Sequence, residues 1–235
     1  SGTRATELTW EDGIPAENMK SWVVAFVKDG KVVSFAENNN VSDGNRIKDE
    51  VTIKDLPKGD TYQVYSFANL TAAELGISKG AIVNFDNMKW KMDGNGFDVT
   101  TKGIPMSNKQ EVTVDATGNP TQKDLWVVRM LAKVTLKFKN PSKTDLVIND
   151  ITISDITKNS NKNGDKENIK LLPNHTDADH DQVVCSPNLV DQATTDSYTY
   201  TLSSPKTIAV NTSDYIKENE VSFYVNESKA GNTSK

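Results

Sequence analysis

The run Lys133-Val134-Thr135-Leu136-Lys137-Phe138-Lys139 alternates polar and apolar residues at every step. Successive side chains on a strand point to opposite faces, so this pattern predicts a strand. Val134, Leu136 and Phe138 should face a core, with the lysines and Thr135 toward water. A segment of this kind needs a partner sheet to cover its apolar side.

The rest of the chain supplies many such segments. Trp22 to Val27 is a continuous apolar run, followed by Lys28-Asp29-Gly30-Lys31 and then Val32-Val33-Ser34-Phe35. Asp-Gly between two β-rich runs is a hairpin signal, because glycine accepts the positive φ of a primed turn. Further strands are expected at Val51 to Ile53, Tyr62 to Phe67, Phe97 to Thr100, Glu111 to Val114 and Trp126 to Val128. In the second half they are expected at Leu146 to Ile148, Ile151 to Ile153, Tyr198 to Leu202, Thr207 to Val210 and Val221 to Val225. Thr71 to Gly76 reads as a short helix: Thr71 caps it, Glu74 stands three residues on, and Gly76 ends it. Two polar stretches, Asn159 to Asn168 and Pro173 to Asp196, read as loops. Short strands between frequent turn residues predict an all-β sandwich. The natural division is into two units, 1–128 and 129–235.

Composition narrows the function classes. Only 36% of the 235 residues are hydrophobic, which suits thin sandwiches whose strands show one face to water. The net charge of −5 argues against nucleic acid as a partner, since that binding needs a basic stripe. A lone cysteine, Cys185, excludes an intrachain disulfide framework and any multi-cysteine metal site. Secreted chains are often disulfide-stapled, but one of this length can bury enough surface without staples. No apolar run approaches membrane-spanning length, and the polar start Ser1-Gly2-Thr3-Arg4 is expected to be a mature terminus, with no signal peptide.

Several blocks stand in an order that resembles one family. They are the hairpin Trp22 to Phe35; Tyr62 to Leu70 after Leu56-Pro57-Lys58-Gly59; Gly103-Ile104-Pro105-Met106-Ser107; Arg129-Met130-Leu131-Ala132-Lys133-Val134; and Phe223-Tyr224-Val225-Asn226-Glu227. Together they are similar to the fimbrillin-type (type V) pilins of Bacteroidetes. The resemblance implies two tandem transthyretin-like Greek-key β-sandwich domains, exported as a lipoprotein and displayed on the outer membrane. It implies a structural subunit of a fimbria (stalk, anchor or tip) that supports adhesion, with no catalytic activity and no cofactor. The implied partners are neighbouring pilin subunits, joined by β-strand addition, and an arginine-specific protease that matures the chain. Removal of a first strand would open a groove, which a terminal strand of a neighbour fills through backbone hydrogen bonds and side-chain pockets.

Carried onto this sequence, the resemblance makes Arg4 and Ala5 the candidate processing point, with a plain surface arginine as the alternative reading and Arg46 as the weaker candidate. Val23, Ala25 and Val27, with Val134, Leu136 and Phe138, are the strand-groove candidates. Family members continue with further strands where this chain has a loop-like tail to Lys235, so the second unit is expected to lack its terminal strands. The alternative is a non-polymerising surface adhesin or glycan-binding lipoprotein on the same fold, with a host protein or glycan as its ligand. Trp90, the Asp93 to Gly96 loop, and His175, Asp177, Asp179 and His180 would then form its ligand face.

Motifs for other chemistry are poor. His175-Thr176-Asp177-Ala178-Asp179-His180-Asp181 has the alternate acids of a calcium loop, but no glycine follows the third acid and Asn188 stands where the closing glutamate belongs. The Asn159 to Asp165 stretch lacks the leading aspartate, and Lys170 takes the closing position. Both read as solvated loops, and no metal is expected. Both histidines lie in one polar loop, with Cys185 five residues beyond His180, which is a poor foundation for a cysteine hydrolase. No phosphate-binding glycine loop occurs.

Leu136→Asp tests the alternation. An unpaired charge on the core face costs on the order of several kcal/mol, so the second unit should unfold. A soluble variant with an unchanged melting curve would show that Leu136 does not face the core.

Overall fold

The computed structural model describes residues 18–42, 48–90, 102–121, 124–157, 170–175, 185–186, 195–210 and 217–226. The protein is an all-β sandwich. Five strands form its first sheet: β1 (Trp22–Lys28), β2 (Lys31–Asn38), β3 (Thr61–Ala68), β4 (Met106–Thr113) and β5 (Val128–Arg129). Their spatial order is β2-β1-β3-β4-β5, and every pair is antiparallel. The β1–β2 turn is the predicted Asp29-Gly30, with φ of 51° and 73°. Glycine fits this left-handed region without strain, and aspartate tolerates it better than most residues.

The first sheet is apolar on both sides. Val23, Ala25 and Val27 face a large core with Tyr65, Phe67, Phe85, Ile104 and Met130. Val24 and Phe26 face the opposite side, where they pack with Tyr62, Val64, Val112 and Val114. That explains why Trp22 to Val27 is continuously apolar: a strand buried on both faces has no water-facing position. On the first side, Tyr65 and Phe85 pack with ring centroids 4.9 Å apart, and the Lys109 ammonium, 2.8 Å from Asp86, lies over the Tyr65 ring. Burial raises the Tyr65 phenol above its ordinary pKa, and the nearby Asp86 carboxylate adds to the shift.

The predicted helix is α1 (Ala72–Leu75). Thr71 and Glu74 form a reciprocal capping box, and Gly76 closes the helix at φ 67°. Val51 to Ile53 departs from expectation. It lies outside any strand, as an extended segment laid over the second apolar face. Its alternation reflects burial on one side, without a ladder.

The second half supplies two antiparallel ribbons. β6 (Leu131–Lys137) pairs with β11 (Glu220–Asn226), and β7 (Leu146–Thr157) pairs with β10 (Thr195–Ile208). Within the stretch expected to be loop, β8 (Asn174–His175) and β9 (Cys185–Ser186) form a two-residue pairing. Leu171 and Leu172 cross to the first core, where the Leu171 amide donates to the Met88 carbonyl at 2.9 Å and the Ser107 hydroxyl donates to the Leu171 carbonyl.

Asn69 ties the first sheet together at one end. It adopts φ 58°, and its side-chain oxygen accepts from the Lys20 amide at 2.7 Å. Its NH2 group donates to the carbonyls of Ile104 at 2.8 Å and Asn18 at 3.1 Å. Gly103, at φ 78°, lies so close that a Cβ there would sit 2.4 Å from the Asn69 nitrogen. Gly103→Ala should therefore destabilise the protein by about 2–4 kcal/mol in urea denaturation, from clash and backbone strain together. A loss under about 0.5 kcal/mol, the range of neutral surface changes, would mean that the contact relaxes freely.

Candidate functional site

The two trios of strand-groove candidates differ in burial. Val23 and Ala25 are 0% exposed and Val27 is 4% exposed. Their face is already filled by the protein's own Leu75, Phe85 and Leu171. Val134 and Leu136 on β6, and Phe138 just beyond it, are only half-buried. They alternate with exposed Lys133, Thr135, Lys137 and Lys139, as the sequence pattern requires.

This second trio belongs to a core between the ribbons, with Val221, Phe223 and Val225 from β11, Ile151 and Ile153 from β7, and Tyr200 and Leu202 from β10. Tyr200 stacks on Phe223 with centroids 4.9 Å apart and planes 11° from parallel. Along the outer face, Thr135 and Ser222 share a hydroxyl hydrogen bond of 2.9 Å, and the Lys137 ammonium lies 3.3 Å from Glu220. Both are cross-strand pairs that fix the register of β6 against β11.

A cleft of about 490 Å³ opens beside this core, between β10 and β11. Tyr200, Leu202, Pro205, Lys206, Glu220 and Val221 are among its lining residues. Its β10 wall is a bulge. Thr201 pairs with Asp150, yet the next pairing joins Lys206 to Ile148, so β10 carries extra residues around Ser203-Ser204-Pro205. Proline has no amide hydrogen to give a ladder, so it belongs at such a break. Sequence reasoning did not single out this cleft. The signal that marks it is Pro205, three residues past the end of the expected strand Tyr198 to Leu202.

Of the other candidates, Trp90 and His175 lie among the described residues. Trp90 packs against the first core, partly buried, with its indole nitrogen enclosed and without a hydrogen-bond partner among the described residues. The His175 backbone pairs with that of Cys185. Arg4, Ala5, Arg46, Asp93 to Gly96, Asp177, Asp179 and His180 lie outside the described residues. Among the described residues no helix is long and apolar enough to cross a membrane.

No protein-family model matches this chain, and no curated protein matches it. Among solved structures it is similar to a proposed cell adhesion protein from Parabacteroides distasonis ATCC 8503. The TM-score is 0.56 at 14% sequence identity, over 99% of this chain and 69% of that one. At that identity the likeness establishes the all-β fold alone.

Tyr200→Ala should lower the stability of the ribbon core by about 2–4 kcal/mol, through the lost stack on Phe223 and the space left behind. Two-dimensional NMR should show the shifts confined to the second half. Equal disturbance of β1 and β3 would mean that the ribbons and the first sheet share one cooperative core.

Proposed function

We propose that this protein is a cell-surface adhesion protein, acting as a structural subunit of a fimbria that accepts a β-strand from a neighbouring subunit. The observation that carries this reading is the half-buried apolar face of the ribbon core, which lies beside an open, mostly polar cleft between β10 and β11. Two-stranded ribbons are marginal in water, and an added strand would extend a ribbon and cover more of its apolar face. On the β11 side the cleft is lined by Glu220, Val221 and Ser222, and we take this wall as the acceptor. The bulge and Pro205 make β10 the poorer template.

The likeness in fold to the Parabacteroides protein supports an adhesive role at the cell surface, and the ordered sequence blocks support a fimbrial one. Export as an outer-membrane lipoprotein, arginine-specific processing and the absence of catalysis belong to the same reading. In it, Val23, Ala25 and Val27 serve the permanent core, while Val134, Leu136 and Phe138 flank the accepting cleft.

The test is a denaturing gel run without boiling, after treatment with an arginine-specific protease. Strand-exchanged subunits should give a ladder that collapses to monomer on boiling. Val221→Pro should abolish that ladder, because a proline on β11 disrupts the accepting strand, while its circular dichroism establishes whether the fold survives. Monomer alone under all conditions, from protein shown to be cleaved, would overturn the polymerising reading and leave a non-polymerising adhesin.

A further inference from the structure

The second apolar face of the first sheet is covered by 48–57, a segment without strand pairing. Val51, Ile53 and Leu56 pack, partly buried, over Val24, Phe26, Tyr62, Val64, Val112 and Val114, while Thr52, Lys54 and Asp55 between them are exposed. Among the described residues no backbone–backbone hydrogen bond joins this segment to the sheet. It is held by side chains reaching up from the sheet. The Trp22 indole N–H donates to the Asp49 carboxylate at 2.7 Å, and the Asn38 side-chain NH2 donates to the same oxygen at 3.2 Å. The Ser34 hydroxyl donates to the Lys54 carbonyl at 3.0 Å, and the Tyr62 hydroxyl donates to the Pro57 carbonyl at 2.8 Å. The indole bond is the foremost reason that the Asp49 carboxyl is held below the usual range.

We propose that 48–57 is a detachable strap, which lifts as one piece from an intact sheet and bares the apolar face beneath it. The inference is independent of the strand-accepting cleft, which lies in the other half of the chain. The sheet and the strap are fastened by different means. β1 and β3 share an unbroken ladder and are buried on both faces, so exposing them from the other side requires breaking the sheet. Opening the strap costs four side-chain hydrogen bonds and three partly buried apolar side chains, a far smaller loss. The strap closes a surface that includes Tyr62 and Val64, both 0% exposed, so its release exposes apolar surface that the closed state hides.

Thiol labelling tests this, with Cys185→Ser as the background and a single cysteine introduced at Val64, beneath the strap, or at Ala25, on the other face. Val64→Cys should react at least about a hundredfold faster than Ala25→Cys, because strap opening exposes the first whereas the second waits for disruption of the sheet. Trp22→Phe, which removes the indole donor but keeps an aromatic ring, should speed labelling of Val64→Cys about tenfold further and leave Ala25→Cys unchanged. Asp49→Asn, which keeps an acceptor for the indole, should have the smaller effect. Binding of the apolar dye ANS should rise in Trp22→Phe in step with labelling of Val64→Cys. Labelling of both cysteines at one common rate would overturn the proposal. So would a Trp22→Phe effect spread equally over both.

Discussion

The amide of Asn69 is the point on which the first half of the protein depends. It sits at the exit of β3, bonded to the chain entering β1 at Lys20 and Asn18 and to the chain entering β4 at Ile104. Three segments far apart in sequence are thereby fixed at one end of the sheet, with a 7% exposed side chain whose oxygen and nitrogen are both used. A buried amide left without partners would cost more than its bonds contribute, so the arrangement tolerates few substitutes. Asparagine also accepts the left-handed backbone at φ 58° that lets β3 turn away. Gly103 follows as a consequence, because only a residue without a Cβ leaves room for that amide.

From that anchor the two halves diverge in how they bury apolar surface. β1 lies in the middle of the sheet, between β2 and β3, and has no solvent face, so its residues are committed to the fold. The ribbons each have two strands and share one core, whose β6 residues stay half-buried. A protein that needs both a stable body and an accepting surface can separate them in this way. The five-stranded sheet buries β1 on both faces, whereas among the described residues each ribbon is a single two-stranded ladder. Lysines alternating along β6 and the bulge in β10 are recognised means of keeping such edges from pairing at random.

Much of the fold was legible because its signals are local. The Asp29-Gly30 hairpin, the Thr71–Glu74 capping box and the alternation from Lys133 to Lys139 are each decided by neighbours in sequence, and all three stand in the structure. Val51 to Ile53 was misread as a strand because alternation reports one-sided burial, and a strap over a sheet produces the same period as a strand within one. Pairing depends on a partner that the segment itself does not encode. The crossing of Leu171 and Leu172 into the first core was illegible for a similar reason: two leucines beside a polar loop carry no sign of which core they join.

The candidate site was less legible, and the cause is physical. A groove is a space between segments distant in sequence, so no periodicity records it. Three of the six groove candidates lie in a continuous apolar run and three in an alternating one, and neither pattern separates residues in a finished core from residues beside an open cleft. Burial separates them. Val23 and Ala25 have no accessible surface left to offer, whereas Val134 and Leu136 do. An incoming strand gains free energy only from surface that is still exposed and from backbone groups that are still unpaired. Of the six candidates, therefore, those on β6 and just beyond it are the ones with surface left to give an added strand.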